Sequence, residues 1–112
     1  MALDFQSDEV GSAIVVSVKG DVDMDSSPEL QKQLIGLFRD DQKAIVVDLS
    51  GVSYIDSSGI ATFVEGLQWS HNTQNKFRLA GLSPCVKDIF EIARLTTVFD
   101  IFDSREKALE GI

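Results

Sequence analysis

The sequence predicts an α/β fold built on a largely parallel sheet, and three observations predict it. Runs rich in β-branched residues alternate along the chain with apolar stripes at helical spacing. The run AIVVDL at residues 44–49 is apolar almost throughout, as in a strand covered on both faces. The chain opens on two strand-like segments parted by Gly11 and Ser12, so a hairpin precedes the first helix and makes the sheet mixed. Taken alone, this order leads to helices on both faces of the sheet.

Residues 3–9 form the weaker opening strand and residues 13–18 the stronger second one, which Gly20 ends. Pro28 suits the first position of a helix, where its missing N–H would have no partner anyway, with Ser27 as the cap and Ser26 as its rival. Leu30, Leu34, Leu37 and Phe38 share the face that should pack on the sheet, with Lys32 and Arg39 on the solvent side. After Asp40 and Asp41 comes the buried strand at 44–49, then a loop of small polar residues and glycines through Gly59. The second helix turns Ile60, Phe63, Val64 and Leu67 inward, places Trp69 in the core or at its rim, and ends in the polar stretch 71–75. A strand at 76–80 and a turn at 81–83 lead to a second Ser-Pro helix start at Ser83 and Pro84, whose stripe is Val86, Ile89, Phe90 and Ala93. A strand at 98–102 and a short helix capped by Ser104 and running through Leu109 complete the order.

Residues 1–112 read as one domain. Apolar residues make up 44% of the chain, enough for a folded core and too many for a disordered chain. The formal net charge of -8 and the scatter of the bases argue against nucleic acid as a partner. No apolar run has membrane-spanning length, and the start MALDFQSDEVG lacks the layout of an export signal. The one cysteine, Cys85, has no partner for an internal disulfide. The expected setting is cytoplasmic, away from membranes.

The informative stretch is Asp56-Ser57-Ser58-Gly59, which follows a buried strand and opens a helix. Asp56 or Ser57 can accept hydrogen bonds from the free amides of the first turn, and helix capping alone accounts for this composition. Three features point beyond a cap. Two adjacent serines exceed what one cap requires, Tyr54 and Ile55 can anchor the turn, and the carboxyl end of a parallel strand is where open α/β sheets place their sites. A phosphate on Ser57 would add about 1.5 to 2 negative charges, close to Asp56. The expected result is a switch that acts on a complex while sparing the fold.

Asp21, Asp23 and Asp25 form either a solvated acidic turn or a binding loop beside Asp56 and Ser57; Ser27 and Pro28 break any calcium-loop spacing. Asp48 either exits to solvent, pairs with loop amides, or positions the Ser57 loop. His71, the only histidine, lies in a polar helix end, and no base is evident for a nucleophilic serine. Cys85 is expected to be a small, at least half-buried apolar residue. GxGxxG and GxxxxGK[ST] do not occur, so nothing supports dinucleotide or P-loop binding. No catalytic, metal-ligating or cofactor-binding residue is expected.

Four stretches resemble the STAS domain family in its form as a bacterial anti-sigma factor antagonist: Gly20-Asp-Val-Asp23, the central IVVDLSGVSYIDSSG run at 45–59, LAGLSP at 79–84, and FDIFDSREKAL at 99–109. The central run is the specific one. The resemblance implies a mixed, mostly parallel sheet of four or five strands with an N-terminal hairpin and helices packed mainly on one side, replacing the two-sided layering above. It also implies that Ser57 is the phosphorylation site and that Asp56 and Gly59 shape its loop. Asp23, Asp25, Asp56, Ser57, Ser58 and Gly59 are then the expected partner-binding residues.

The implied partners are an anti-sigma factor that is also a serine kinase, which would itself bind the ATP, and a serine phosphatase acting on phosphorylated Ser57. The free protein is expected to be a monomer, although the edge of the opening hairpin offers a strand for a second copy. The chain departs from the family's pattern at Arg94, where relatives often carry glycine, so the third helix either continues or frays there. Two other functions stay open at this point. One is a signalling or scaffold module of a stress or two-component pathway without a direct sigma-factor role. The other is a small enzyme with Ser57 as nucleophile.

Overall fold

In a computed structural model, residues 3–38 and 43–112 are described. The element order is β1 (Asp4–Val10), β2 (Ala13–Lys19), α1 (Ser27–Ile35), β3 (Ala44–Gly51), α2 (Ser57–Thr73), β4 (Phe77–Ala80), α3 (Pro84–Ile92), β5 (Asp100–Phe102) and α4 (Arg105–Ala108). The five strands lie in sequence order, β1-β2-β3-β4-β5. β1 and β2 are antiparallel, and every later pair is parallel. The hairpin turn has Gly11 at its first central position with φ +60°, the glycine pattern of a type II′ turn.

Strand alternation sorts the side chains by face. Val16, Val18, Ile45, Val47, Leu49, Phe77 and Leu79 pack with Leu30, Leu34, Phe63, Val86 and Phe90 of α1, α2 and α3. Phe38, Phe77, Phe99, Phe90 and Phe63 form a continuous row of ring contacts through this core, centroids 5.3–6.3 Å apart. The other face is smaller: Val15, Val46 and Ala80 are covered by Ala108, Phe102, Leu109 and Ile112. The helices therefore pack mainly on one side, and only the short α4 takes the other.

Several boundaries differ from expectation for local reasons. α1 starts one residue early, at Ser27, with Ser26 at the cap position; the Ser26 hydroxyl donates to the Asp21 carbonyl (2.8 Å) and accepts from the Asp23 amide (3.0 Å). Pro28 is consequently the second helical residue. α1 ends at Ile35, so Leu37 and Phe38 reach the core from beyond the helix. The last strand begins only at Asp100, because the amides of Val98 and Phe99 both bond to the Leu95 carbonyl. Arg39, Asp40 and Asp41 lie outside the described residues.

α3 neither continues nor frays at Arg94. Arg94 itself takes the left-handed conformation, φ +59°, that glycine adopts most readily. The Leu95 amide bonds to the Phe90 carbonyl and the Arg94 amide to the Glu91 carbonyl, both at 2.9 Å, which is the Schellman closure of a helix end. Cys85, expected to be at least half-buried, is exposed near the start of α3, because the buried stripe of this helix runs through Val86 and Phe90.

Candidate functional site

β3 delivers the chain to the carboxyl edge of the sheet, and the loop after it is pinned to the loop after β2. Val22 and Ile55 form a parallel bridge, with the Val22 amide on the Tyr54 carbonyl (2.9 Å) and the Asp56 amide on the Val22 carbonyl (3.1 Å). The Ser53 hydroxyl donates to Asp21 Oδ1 at 3.0 Å. The acidic loop and the Ser57 loop thus form one surface, with buried Val22 and Ile55 as its floor.

Asp56 caps α2. Its Oδ1 accepts from the amides of Ser58 (2.9 Å) and Gly59 (3.3 Å) and from the Ser58 hydroxyl (2.5 Å). The Ser58 hydroxyl bond leads in holding the Asp56 carboxyl below its ordinary value of 3.8; partial burial opposes this, and the amides of Gly59, Ser58 and Met24 outweigh the opposition. Gly59 is buried against Ile55 and Val22, so closely that a β-carbon there would sit 2.6 Å from a side-chain carbon of each. Only glycine lets the helix start so close to the bridge.

These neighbours are committed inward and Ser57 is not. It is the first residue of α2, it is exposed, and no group among the described residues bonds its hydroxyl. Ser58 lies half-buried and points its hydroxyl back to Asp56. Beside Ser57 runs a mostly apolar groove of about 380 Å³ between the start of α2 and the end of α3, walled by Tyr54, Ile60, Ile89, Ile92 and Ala93. Ile92 is 82% exposed and Met24, in the adjoining acidic loop, 76%.

Two acids of the acidic loop do different things. Asp23 Oδ1 accepts from the amides of Asp25 and Ser26, each at 3.0 Å, and so shapes the turn. Asp25 is exposed. Asp48, in contrast, stands on the α4 face of the sheet. It accepts from the Ser50 amide (3.0 Å) and pairs with Arg105 (3.0 Å), whose guanidinium also donates to Ser17. Burial opposes the Asp48 charge, but the Ser50 amide and hydroxyl and Arg105 together hold its carboxyl below the ordinary value.

Tyr54 does not anchor the loop from inside; it is 46% exposed, and Ile55 alone is buried. Sequence reasoning misses the groove wall: it puts Ile89 and Ala93 in the core stripe and gives Ile92 no role. The available signal is an isoleucine three positions after Ile89, off the Val86–Phe90 line: a second apolar face on a short helix. Trp69, expected in the core or at its rim, is instead exposed at 40%, and His71 is exposed as well. Among the described residues, no three His, Cys, Asp or Glu side chains gather into a metal site, and no helix is long and apolar enough to cross a membrane.

The STAS domain family profile matches residues 4–108. The anti-sigma-B factor antagonist of Staphylococcus aureus is 31% identical over 91 residues, covering 81% of this chain and 84% of the relative. An anti-sigma factor antagonist from Mycobacterium paratuberculosis superposes with a TM-score of 0.86 at 22% identity, over 96% of this chain and 91% of that one. The Bacillus cell fate determinant SpoIIAA, in its phosphorylated form, superposes with a TM-score of 0.71 at 17% identity, over 96% and 97%. A match to nearly the whole chain, on a mixed sheet with three helices on one face, leads to one conclusion: this chain belongs to the STAS domain family, among the anti-sigma factor antagonists.

Proposed function

We propose that this protein is a cytoplasmic partner-switching regulator. With Ser57 unmodified it binds an anti-sigma factor that is also a serine kinase. Transfer of the ATP γ-phosphoryl group to the Ser57 oxygen releases it, and a serine phosphatase restores the binding form. It is a substrate and a ligand in this cycle and performs no catalysis of its own.

The observation that carries the reading is the exposed, uncommitted Ser57 hydroxyl beside an apolar groove. The groove offers area to a partner, while Asp23, Asp25, Asp56, Ser58 and Gly59 frame the approach. The neighbours also account for release. Asp56 already occupies the Ser58 and Gly59 amides, so a phosphate on Ser57 would not be drawn into the helix start. Its charge would stay at the surface, close to the Asp56 carboxylate and the groove, where it opposes an apolar or acidic partner surface. The fold beneath is untouched, because the Val22–Ile55 bridge and the Gly59 contact do not involve Ser57.

The test is intact mass after incubation with ATP, magnesium and the candidate kinase, with Ser57→Ala in parallel, followed by binding of each form to that kinase. One phosphate on the unmutated chain alone, with loss of binding, is the expected result. Equal affinity of the phosphorylated and unmodified forms would sink the switch.

A further inference from the structure

We infer that the outer edge of β1 is a docking edge for an extended, basic segment of a partner protein, which adds to the sheet as a sixth strand. β1 ends the strand order, and among the described residues it pairs only with β2. Its register with β2 is unbroken from Asp4↔Lys19 to Val10↔Ala13 around a two-residue turn. In such a hairpin Val10, Asp8, Gln6 and Asp4 exchange backbone bonds with β2, so the amides and carbonyls of Phe5, Ser7 and Glu9 point outward.

The edge is long and open. β1 has seven residues, all exposed except the half-buried Phe5, whereas the opposite edge strand β5 has three. Sheet edges are commonly protected by shortening, bulges, proline or charged side chains. β1 is neither short, bulged nor broken by proline, and only the negative charge of Asp4, Asp8 and Glu9 guards it, which repels a like edge and leaves it open to a basic one.

Its charge selects the occupant. Asp4, Asp8 and Glu9 make the strand acidic without a single base, on a chain of net charge -8. Two copies would repel, and a strand of opposite charge would be drawn in. Glu9 already takes Lys43 at 3.3 Å, the kind of pairing a basic strand would repeat along the edge. Between Phe5 and α1 lies a groove of about 490 Å³ lined by Phe5, Glu29, Lys32, Gln33, Gly36 and Leu37; Lys32 keeps a basic side chain out of it, while Phe5 and Leu37 can receive an apolar one at alternate positions of the added strand. The turn end of β1 lies level with Ala44, where β3 starts, and its Asp4 end, through Lys19, lies level with Gly51, at the end of β3 that leads to Ser57. Ser57 takes no part in the β1 ladder, so removing its hydroxyl leaves this edge intact.

The probe is a short peptide alternating lysine and valine, added to the full chain, with a glutamate-valine peptide as control. Amide exchange is read by NMR. The lysine peptide should slow exchange at Phe5, Ser7 and Glu9 by about tenfold or more, an effect that fades with added salt; the glutamate peptide should do nothing. Ser7→Pro removes the central outward N–H without touching the β2 ladder, and should abolish the protection. Asp8→Lys tests charge alone, in case the proline variant folds poorly, and should weaken the complex about fivefold. Ser57→Ala should bind the peptide unchanged. Unaltered exchange at these three amides overturns the inference. So does protection that rises with protein concentration alone, which would make a second copy the occupant.

Discussion

Helices α2 and α3 both begin just past the carboxyl ends of parallel strands, β3 and β4, and each is capped by a short oxygen-bearing side chain. Ser83 caps α3 by accepting from the Val86 amide at 3.5 Å, and the next residue is Pro84, which has neither a hydroxyl nor an N–H to offer. Asp56 caps α2 with closer bonds, and the next residue is an exposed serine beside an apolar groove. The two starts share position and dipole. What separates them is that a rigid acidic cap at α2 leaves one hydroxyl outside and keeps the helix amides engaged. Position in the fold is common to both; of the two, only α2 presents an exposed hydroxyl, unbonded among the described residues, on a fixed frame.

The largest expected difference between the two starts is in phosphorylation. Ser57→Ala should lose phosphate uptake altogether while keeping kinase binding. Cys85→Ser, which places an exposed hydroxyl near the start of α3, should take up no second phosphate. Intact mass and binding measurements decide both. A second phosphate on the Cys85→Ser variant would show that any exposed hydroxyl at this edge suffices.

The second difference lies in packing beneath the helix start. Gly59→Ala places a β-carbon against Ile55 and Val22 and should cost about 1–3 kcal/mol in urea unfolding. A variant as stable as the parent would mean that the bridge yields easily. Third come the caps themselves. Asp56→Ala should cost about 1 kcal/mol near neutral pH, and Ser83→Ala less, because its bond is longer.

The Asp56 effect should also depend on pH. The folded chain holds this carboxyl below 3.8, as it does Asp48, so the unfolded chain takes up protons first as the solution is acidified. Their stabilisation is complete well above that value and is lost as pH falls through it. Asp56→Asn should flatten the acid limb of a stability–pH curve, and an unchanged limb would show that the cap charge contributes nothing. The smallest effect is at the far end of α3. Arg94→Gly relieves a left-handed arginine and should stabilise by about 0.5–1 kcal/mol, measured in the same unfolding experiment.

The residues that were legible in the sequence are those whose roles are set within a few neighbours. The Ser83-Pro84 start, the Ser104 cap, the Asp56-to-Gly59 helix entry and the double-faced burial of 44–47 all follow from spacing and residue type, and all stand in the structure. Ser26 shows where this stops. Its composition suits a cap, but a contact with the Asp21 carbonyl claims the hydroxyl. Arg94 shows the same at the other end of a helix: its side chain gives no hint of a left-handed backbone, which the carbonyls of Phe90 and Glu91 impose.

Element order, the helix entry at Ser57 and the acidity of the loop before α1 are local properties, because periodicity and capping act over one or two turns of chain. What meets what is a property of the folded whole. The fold sets Val22 against Ile55, brings Ile89 and Ile92 beside Ser57, and joins Arg105 to Asp48 and Ser17 across 57 and 88 residues of chain. Those contacts depend on strand register and on which sheet face each helix crosses, and both arise from the packing of the whole core rather than from any local run of residues.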